Sequence, residues 1–559
     1  MTSVPDSPAQ ANFFWGHTIA RSLADIGVEV VFFSPGSRST PLVLGCEQEA
    51  RLSCFAVLDE RTAAFLALGH SKRTCIPTAL ICTSGSAPAH WFPAVTEASY
   101  SGVPLLLLSA DRPPELQECG AGQTINQENL FGSFVRKFFP APIPAEDFHS
   151  LTNLQGLISN AYALATSQTP GPVHINFAFR EPLWPSSTDL PEIPLLDPSP
   201  KVAVAPSLNH TPDLIDLKHA QRPVIIAGLN CLADLPVSFD SIPILCDSLS
   251  PLREQDHPSR ILRYENMLRC PEFLNSVQPD LFILLGPLPT SKTLRGWIEQ
   301  SGVERFVIEP SGRKVDPLNG TSRSEALPFN QLSKLRLSKP SADWLKKWTE
   351  AELFIETKLQ TRLEALPFNS ESKIARILSQ HLPKESLFYC ANSMPIRDME
   401  WFWKASNLNR KLFGARGVNG IDGTLATTMG LAHLAENPVF LLTGDLAFLH
   451  DSNALLFASS LIGSLTVFLI NNHGGGIFEN LPVSQLAEFE KCFATPQNCN
   501  FEKLCSAHSV SYHLCKNEKE FKSFLLHPPE KGVRVIEIQT DRKVDREIRK
   551  NLLSISTTS

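Results

Sequence analysis

The chain has 559 residues, of which 43% are hydrophobic and 19% are charged, and its formal net charge at pH 7 is -7. This composition is typical of a folded globular protein and excludes a disordered or collagen-like chain. Basic residues are not in excess and form no long runs, so a nucleic-acid-binding surface is not indicated. The composition therefore favours small-molecule chemistry.

The cysteines and the first residues indicate a cellular location. Thirteen cysteines are scattered along the chain without a C-x-x-C pair, which argues against zinc and favours reduced thiols. No apolar run approaches the roughly 18 residues that a membrane-spanning helix needs. Residues 1–11 are polar where a secretory signal would be basic and then apolar. We expect a soluble cytoplasmic protein without membrane insertion.

The first 180 residues alternate short β-branched or apolar runs with helix-length stretches. The predicted strands are residues 28–33, 54–58, 79–82, 104–108 and 173–177. This rhythm predicts parallel strands joined by helices. The polar residues that follow each strand should gather at one sheet edge, where ligands of such folds bind.

Two further alternating blocks follow a proline-rich segment with seven prolines between residues 182 and 206. That density fits neither a helix nor a central strand, so it predicts a connector. The later predicted strands are residues 223–227, 242–245, 281–285, 305–308, 386–390, 439–442 and 465–470, and a helix is predicted at 342–366. We predict an α/β fold of three doubly wound parallel-sheet domains. Their bounds are 1–182, a linker at 183–206, a central domain at 207–340, and 341–559.

Two late strands end in residues suited to a metal and a diphosphate. TGD at 443–445 ends one, and NNHGGG at 471–476 ends the other. Asp445, Asn472 and the carbonyl of Gly474 could supply half of an octahedral Mg²⁺ shell. Gly444 would let the backbone approach a diphosphate closely. Either segment alone would usually be a turn or a glycine-rich loop. The two segments in this order, each after its own strand, are a more specific indication of a metal and diphosphate site. His473 is expected to point away, because Mg²⁺ prefers oxygen ligands.

This pair resembles the diphosphate-binding motif of thiamine diphosphate-dependent enzymes. The resemblance implies thiamine diphosphate with Mg²⁺ or Mn²⁺ as cofactors, and pyrimidine-binding, central and diphosphate-binding domains. It also implies a catalytic carboxylate in the first domain, for which Glu60 is the candidate. A Glu in the first helical turn is also a common dipole-stabilising choice. Buried in an apolar pocket, this carboxyl would have a raised pKa and could share a proton with the aminopyrimidine ring.

Five further segments narrow the resemblance to the MenD family, the 2-succinyl-5-enolpyruvyl-6-hydroxy-3-cyclohexene-1-carboxylate synthases. They are SPGSRSTPL at 34–42, SADRPPEL at 109–116, GAGQ at 120–123, GPVHIN at 171–176 and RGVNGIDG at 416–423. The resemblance implies decarboxylation of 2-oxoglutarate and 1,4-addition of the resulting succinyl carbanion equivalent to isochorismate, in menaquinone biosynthesis. PLPTSK at 287–292 is the weaker counterpart in the central domain.

The resemblance also implies the residues of the site. The implied cofactor-binding residues are Glu60, Ser84, Gly85, Ile421, Gly444, Asp445, Leu446, Asn472, Gly474 and Ile477. The implied substrate-binding residues are Ser37, Arg38, Arg112, Gln123, Lys292, Ser393, Arg397, Arg416, Ile477 and Phe478. Because the two cofactor-binding domains of this family meet across a subunit interface, a homodimer or homotetramer is expected.

A charge count supports the same reading. The two implied substrates are dicarboxylates, so their four carboxylates require fixed cations. Four arginines in loops after predicted strands fit that need, although a single arginine is as often a solvated surface charge. The alternatives are an acetolactate-synthase-like or 2-oxoacid decarboxylase activity, which would not need four arginines, and a catalytically silent scaffold paralogue. A silent copy has no reason to keep Glu60, Asp445 and Asn472.

Overall fold

The computed structural model describes residues 8–186, 192, 197, 214–229, 231 and 234–557. It contains three six-stranded sheets and one two-stranded sheet, and every strand pair in them is parallel. The prediction of three parallel-sheet α/β domains is confirmed. Most of the predicted linker 183–206 lies outside the described residues, and the exact domain bounds stay predictions.

Residues 8–178 form the first sheet and its helices. Its strands are β1 (Val30–Phe33), β2 (Ser53–Ala56), β3 (Thr78–Cys82), β4 (Leu105–Asp111), β5 (Phe138–Pro140) and β6 (Pro172–Ala178), in the spatial order β2-β1-β3-β4-β6-β5. The helices are α1 (Pro8–Asp25), α2 (Thr40–Glu47), α3 (Glu60–Thr74), α4 (Phe92–Ser101) and α5 (Phe148–Ala165). The five predicted strands are present, and the short β5 was not predicted.

The second sheet has the spatial order β10-β9-β8-β11-β12-β13. Its strands are β8 (Pro223–Ala227), β9 (Ile244–Cys246), β10 (Arg260–Ile261), β11 (Leu281–Leu285), β12 (Arg305–Ile308) and β13 (Ser322–Glu325), while β7 (Ile215–Leu217) pairs with β14 (Leu335–Leu337). The helices are α6 (Tyr264–Met267), α7 (Pro271–Ser276), α8 (Lys292–Ser301) and α9 (Ala342–Glu364). Three predicted strands, β8, β11 and β12, have the predicted bounds.

The third sheet has the spatial order β16-β15-β17-β18-β20-β19. Its strands are β15 (Leu387–Cys390), β16 (Lys411–Phe413), β17 (Val439–Gly444), β18 (Ser464–Asn471), β19 (Ser511–Leu514) and β20 (Gly532–Gln539). Its helices are α10 (Glu371–His381), α11 (Met394–Phe402), α12 (Thr424–Ala432), α13 (Asp445–His450), α14 (Phe501–Ala507), α15 (Glu518–Leu526) and α16 (Arg542–Leu553). No helix in the described ranges is long and apolar enough to cross a membrane.

The chain divides into two compact units. Of the described residues, the first unit comprises those from 8 to 197 together with 415–434 and 451–461, and the second comprises those from 214 to 414 together with 435–450 and 462–557. Helix α12 therefore belongs to the first unit, where it packs on α3. The two backbones approach so closely that a Cβ at Gly69 would lie 1.9 Å from the Thr427 carbonyl oxygen. Only glycine fits such a contact.

Each unit has its own apolar core. In the first unit, the buried side chains of Trp15, Ile19, Leu106 and Ile158 belong to one cluster. The second unit buries several clusters, and one of them covers the third sheet with Phe388, Phe440, Phe468 and Ile536. Each fully buried side chain of this size stabilises the fold by about 1.5–3 kcal/mol relative to an exposed one. These cores hold the strand ends that carry the candidate site.

Candidate active site

Asp445 and Asn472 lie directly after two neighbouring strands. β17 and β18 pair in parallel along β17, so both strands end at the same edge of the third sheet. The loop after β18 is hydrogen-bonded to Asp445, since the Gly474 N–H donates to Asp445 Oδ2 at 2.8 Å. The Leu446 N–H donates to Asp445 Oδ1 at 2.7 Å. The structure thus brings the predicted metal-binding residues together at one edge.

Two polar groups at this edge are buried without a full set of partners. The Asn472 amide nitrogen donates to Glu371 Oε1 at 2.8 Å, which directs the other end of the amide away from Glu371. Asn472 Oδ1 is buried and accepts no hydrogen bond from the described residues. Burial is also the main reason why the pKa of Asp445 is raised to about 6. A divalent cation would bind Asn472 Oδ1 and a carboxylate oxygen of Asp445, so these residues fit the implied metal.

The backbone around these residues leaves room for a diphosphate. A Cβ built on Gly444 would meet nothing within 4 Å. Gly474 has a φ of +132°, and a Cβ there would lie 2.3 Å from the Ala494 carbonyl oxygen, so a larger residue would displace the loop. The His473 side chain is exposed. The donor set and the open glycine fit a diphosphate held through a hard cation.

A buried charge network lies behind Asn472, and the sequence did not indicate it. Glu371 accepts hydrogen bonds from Asn472 and Thr540, and it forms an ion pair with Arg549. Arg549 also pairs with Asp398 at 2.6 Å. Glu371 is 101 positions from Asn472 and is not at a strand end, so no spacing rule could have found it. The network fixes the orientation of the Asn472 amide.

Three predicted residues of the second unit line one cavity of about 690 Å³. They are Lys292, Arg397 and Ile477. Ser393 lies beside them with a φ of +73°, and its carbonyl oxygen accepts a hydrogen bond from Arg397 Nη1 at 2.6 Å. Such a backbone conformation is costly for a non-glycine residue and is enriched at functional sites. Phe478 is not among the described residues that line this cavity, and its ring centroid lies 6.0 Å from that of Phe493.

Glu60 begins α3, shortly after β2 in the first unit. The preceding Asp59 caps this helix by accepting hydrogen bonds from the backbone N–H groups of Arg61 and Thr62. The first-turn placement of Glu60 is as predicted. Its carboxyl is half-buried within this chain, whereas the proton-sharing role was expected of a fully buried group.

Ser84, Arg112 and Gln123 also lie together in the first unit. Arg112 Nη1 donates to Ser84 Oγ, and the same hydroxyl donates to the Gln123 carbonyl oxygen at 3.1 Å. Gln123 Nε2 returns a hydrogen bond to the Ser84 carbonyl oxygen, also at 3.1 Å. These contacts join the loops after β3 and β4, as the parallel topology predicts.

The buried Gln127 supports this cluster and was not predicted. Its Oε1 accepts from the Gly85 N–H at 2.9 Å, and its Nε2 donates to Asn176 Oδ1 at 2.7 Å. Asn176 in turn donates to Asp111 Oδ2 at 2.8 Å. A cavity of about 730 Å³ in the first unit is lined by Arg112, Gln127 and Asn176, among others. No local pattern in the sequence marks Gln127, because it lies in a loop.

The other predicted arginines of the first unit are held by the chain itself. Arg38 is buried, donates to the Phe179 carbonyl oxygen at 2.9 Å, and pairs with Glu181 at 2.7 Å. Burial and the nearby Arg112 lower its pKa, while Glu181 opposes that change. The neighbouring Ser37 is exposed.

Arg416 lies in a loop that Glu97 holds in place. The backbone N–H groups of Gly417 and Val418 donate to the two carboxylate oxygens of Glu97 at 2.9 and 2.8 Å. Arg416 is half-buried, and Ile421, later in the same loop, is half-buried just before α12. Glu97 is a positioning residue that sequence reasoning missed, because it lies inside α4 and carries no motif.

Comparisons with known proteins identify the family to which the chain belongs. Residues 15–130 and 399–538 match the families described as the N-terminal and C-terminal TPP binding domains of thiamine pyrophosphate enzymes. The chain is 38% identical over 580 residues to a 2-succinyl-5-enolpyruvyl-6-hydroxy-3-cyclohexene-1-carboxylate synthase of Nostoc sp., covering 99% of both chains. Proteins with the same name from Synechococcus elongatus and Trichormus variabilis are each 38% identical to this chain over 99% of its length. The match covers 97% of the Synechococcus protein and 99% of the Trichormus protein.

Proposed function

Since the chain belongs to the 2-succinyl-5-enolpyruvyl-6-hydroxy-3-cyclohexene-1-carboxylate synthase family of thiamine diphosphate-dependent enzymes, we propose that it catalyses that reaction in menaquinone biosynthesis. The substrates would be 2-oxoglutarate and isochorismate. The observation that carries the proposal is the edge of the third sheet, where Asp445, Gly474 and the unpartnered Asn472 Oδ1 lie together. A catalytically silent relative would have no need for such a costly buried arrangement.

The second unit would hold the metal and the diphosphate. Asp445, Asn472 and the Gly474 carbonyl would bind Mg²⁺ or Mn²⁺, and Gly444 would leave space for the phosphates. Thiamine diphosphate, when bound, supplies the electron sink that allows a 2-oxoacid to lose CO₂. Glu371 would keep the Asn472 oxygen pointed at the metal by accepting from the amide nitrogen at 2.8 Å.

The first unit would supply the proton relay and some of the cations. Glu60 would hold a proton against the aminopyrimidine ring, as a general acid and base. Arg112, fixed by Ser84, and Arg416, in the loop that Glu97 holds, would bind substrate carboxylates. Arg38 is bonded to Glu181 in this chain, so it would exchange that partner for a carboxylate. Ser37, Gln123 and Ser393 would add neutral hydrogen bonds.

We also propose that the active species is a homodimer or a dimer of dimers in the cytoplasm. The expectation of a dimer comes from the family, in which the two cofactor-binding domains meet across a subunit interface. All 13 cysteines are free, and reduced thiols are typical of a cytoplasmic protein. Sedimentation of the purified protein with and without cofactor would establish the number of subunits.

The reaction itself is tested by incubating the purified protein with thiamine diphosphate, Mg²⁺ and 2-oxoglutarate, with and without isochorismate. CO₂ release and the mass of the product are the measurements. We expect a succinyl adduct of isochorismate that retains the enolpyruvyl group. Consumption of pyruvate with no use of 2-oxoglutarate would instead support the acetolactate-synthase-like alternative. Failure to bind the cofactor would support the alternative of a catalytically silent scaffold paralogue.

A further inference from the structure

The cavity of the second unit carries more positive charge than the predicted substrate contacts explain. Its basic lining residues are Arg269, Lys292, Arg397, Arg546, Arg549 and Lys550. Two of these are neutralised within the chain, since Arg269 pairs with Glu265 and Arg549 with Asp398, each at 2.6 Å. The side chains of Lys292, Arg546 and Lys550 make no hydrogen bond or ion pair with any residue that the structure describes. Lys292 and Lys550 are exposed to solvent, whereas Arg546 is half-buried, so Arg546 is the group that gains most from an anionic partner.

The acids of the same cavity do not cancel this charge. Glu265 already accepts hydrogen bonds from Ser291, Thr293 and Arg269. Glu400 is buried, and burial raises its pKa to about 8. Its carboxyl is therefore mainly neutral near pH 7, and the cavity keeps its positive character.

Helix α16 presents one face to this cavity. Residues 546, 549, 550 and 553 line it, and that i, i+3, i+4, i+7 spacing places them on one side of a helix. The helix is firmly held, because Arg542 pairs with Glu479 at 2.8 Å and Arg549 with Asp398 at 2.6 Å. Arg546 is half-buried between these two anchors. Its guanidinium is thus carried by a rigid element, as a specific binding group must be.

The rest of the cavity suits a ring-bearing ligand. Its apolar lining residues are Trp401, Ile477, Leu481 and Leu553. Its volume of about 690 Å³ is in the range of small-molecule sites, about 300–1,000 Å³. The lining includes Ile477 from the end of the metal loop but does not include Asp445, Asn472 or Gly474 among the described residues. The cavity therefore lies beside the cofactor edge, where the second substrate would approach, rather than at the metal.

We propose that Arg546 binds one carboxylate of isochorismate in this cavity, and that Lys550, one turn later, adds to the attraction. This inference rests on the proposed function and deepens it, because it assigns a substrate contact to the C-terminal helix. Lys292 and Arg397 then serve the other carboxylate. The guanidinium fork fits a carboxylate through two parallel hydrogen bonds, which a lysine cannot make.

The test compares Arg546→Gln with Lys543→Gln, which removes the same charge from the same helix at an exposed position that pairs with Glu490. Steady-state kinetics with each substrate varied in turn are the first measurement. Losing a charge-assisted hydrogen bond should raise the KM for isochorismate about tenfold or more in Arg546→Gln, with the KM for 2-oxoglutarate and the kcat within about twofold. Arg546→Lys should recover part of the loss, and Lys543→Gln should resemble the wild type.

A calorimetric titration of isochorismate into protein loaded with thiamine diphosphate and Mg²⁺, without 2-oxoglutarate, separates this inference from the proposed function. If the wild type makes the adduct but Arg546→Gln and Lys543→Gln have the same isochorismate KM and Kd, the assignment of Arg546 is wrong and the function stands. An effect on 2-oxoglutarate instead also overturns the assignment. The wild type could instead make no adduct and still bind isochorismate more tightly than Arg546→Gln does. In that case the assignment of Arg546 is supported and the proposed reaction is wrong. No binding by the wild type overturns both.

Discussion

The candidate site residues of the two units differ in the partners that the chain gives them. In the first unit, the predicted site residues are bonded to one another or to nearby chain: Arg112 to Ser84, Ser84 to Gln123, and Arg38 to Glu181. In the second unit, Asn472 Oδ1 is buried without a partner among the described residues, and the Arg546 side chain lines a cavity without an ion-pair partner there. The first unit is arranged before any ligand arrives, whereas the second is completed by its ligands.

This contrast has an energetic consequence. Buried polar groups that are paired contribute to stability, while buried groups that lack partners cost free energy until a ligand binds. Changes in the first unit should therefore appear mainly as lost stability. Changes in the second unit should appear mainly as lost affinity, with little or no loss of stability in the absence of ligand. The predictions below test this division, from the largest expected effect to the smallest.

Asp445→Asn should nearly abolish activity. It removes the only carboxylate among the proposed metal ligands, so we expect Mg²⁺-dependent cofactor binding to weaken at least about 100-fold. The variant loses a buried carboxylate whose pKa burial raises, but its amide can accept only one of the two backbone hydrogen bonds, so the stability without ligand should change by no more than about 1 kcal/mol. Mg²⁺ titrations and thermal unfolding measure the two quantities. Asp256→Asn, an exposed position in the same unit, is the control. A variant that loses stability but keeps its metal affinity would contradict the division.

Glu371→Gln should weaken metal binding about 10- to 100-fold, as removal of the partner of a metal ligand usually does. The glutamine can turn its amide nitrogen towards Asn472, which frees the Asn472 amide to rotate. Arg549 keeps Asp398 as a partner, so the fold should survive. The same Mg²⁺ titration is the measurement, with Glu488→Gln as the exposed control. Unchanged Mg²⁺ affinity would remove Glu371 from the site.

Gln127→Ala should lower stability by about 2 kcal/mol, because it leaves the Gly85 N–H and Asn176 Oδ1 with fewer partners. In a unit of this size, that loss corresponds to a fall in Tm of about 4–8 °C. The exposed neighbour Glu128→Ala should change the Tm little. If Gln127→Ala kept its Tm and lost only cofactor affinity, the hydrogen bonds within the first unit would not be what stabilises it before a ligand binds.

Strand ends were the part of the site that the sequence could predict. Asp445 and Asn472 were predicted together because each follows an apolar run, and parallel neighbours end at the same edge. The bounds of β8 and β11 were predicted for a related reason, since both strands are fully buried and read as continuous apolar runs. Strand β13, with the sequence SRSE, was missed because it is an edge strand whose exposed side chains carry no apolar pattern.

The residues behind the ligands could not be predicted in the same way. Glu371 and Gln127 act on site residues through the tertiary fold, and nothing local in the sequence marks such a contact. Arg546 is different, because the 546, 549, 550 and 553 spacing is visible in the sequence. That spacing gives a charged helix face, which more often faces solvent, so it gained meaning only when the cavity was seen.

The smallest expected shift in Tm, taken per pH unit, belongs to Glu400, and it concerns the charge of the second unit's cavity. Its carboxyl has a pKa of about 8 in the folded chain, raised above the ordinary 4.5 mainly by burial. Between these two values the folded state holds a proton that the unfolded state has lost. Stability contributed by this group therefore falls as pH rises, by up to about 1.4 kcal/mol per pH unit.

Glu400→Gln removes that titration, so its Tm should rise relative to the wild type as the pH goes from 5.5 to 7.5. For a domain of this size, we expect the gap to widen by about 2–4 °C per pH unit. Scanning calorimetry at several pH values measures it, with the exposed Glu530→Gln as the control. A gap that is the same at every pH would mean that Glu400 is already ionised when folded. The cavity would then carry less positive charge than the binding of a dicarboxylate by Arg546 requires, and the contrast between the two units would be weaker.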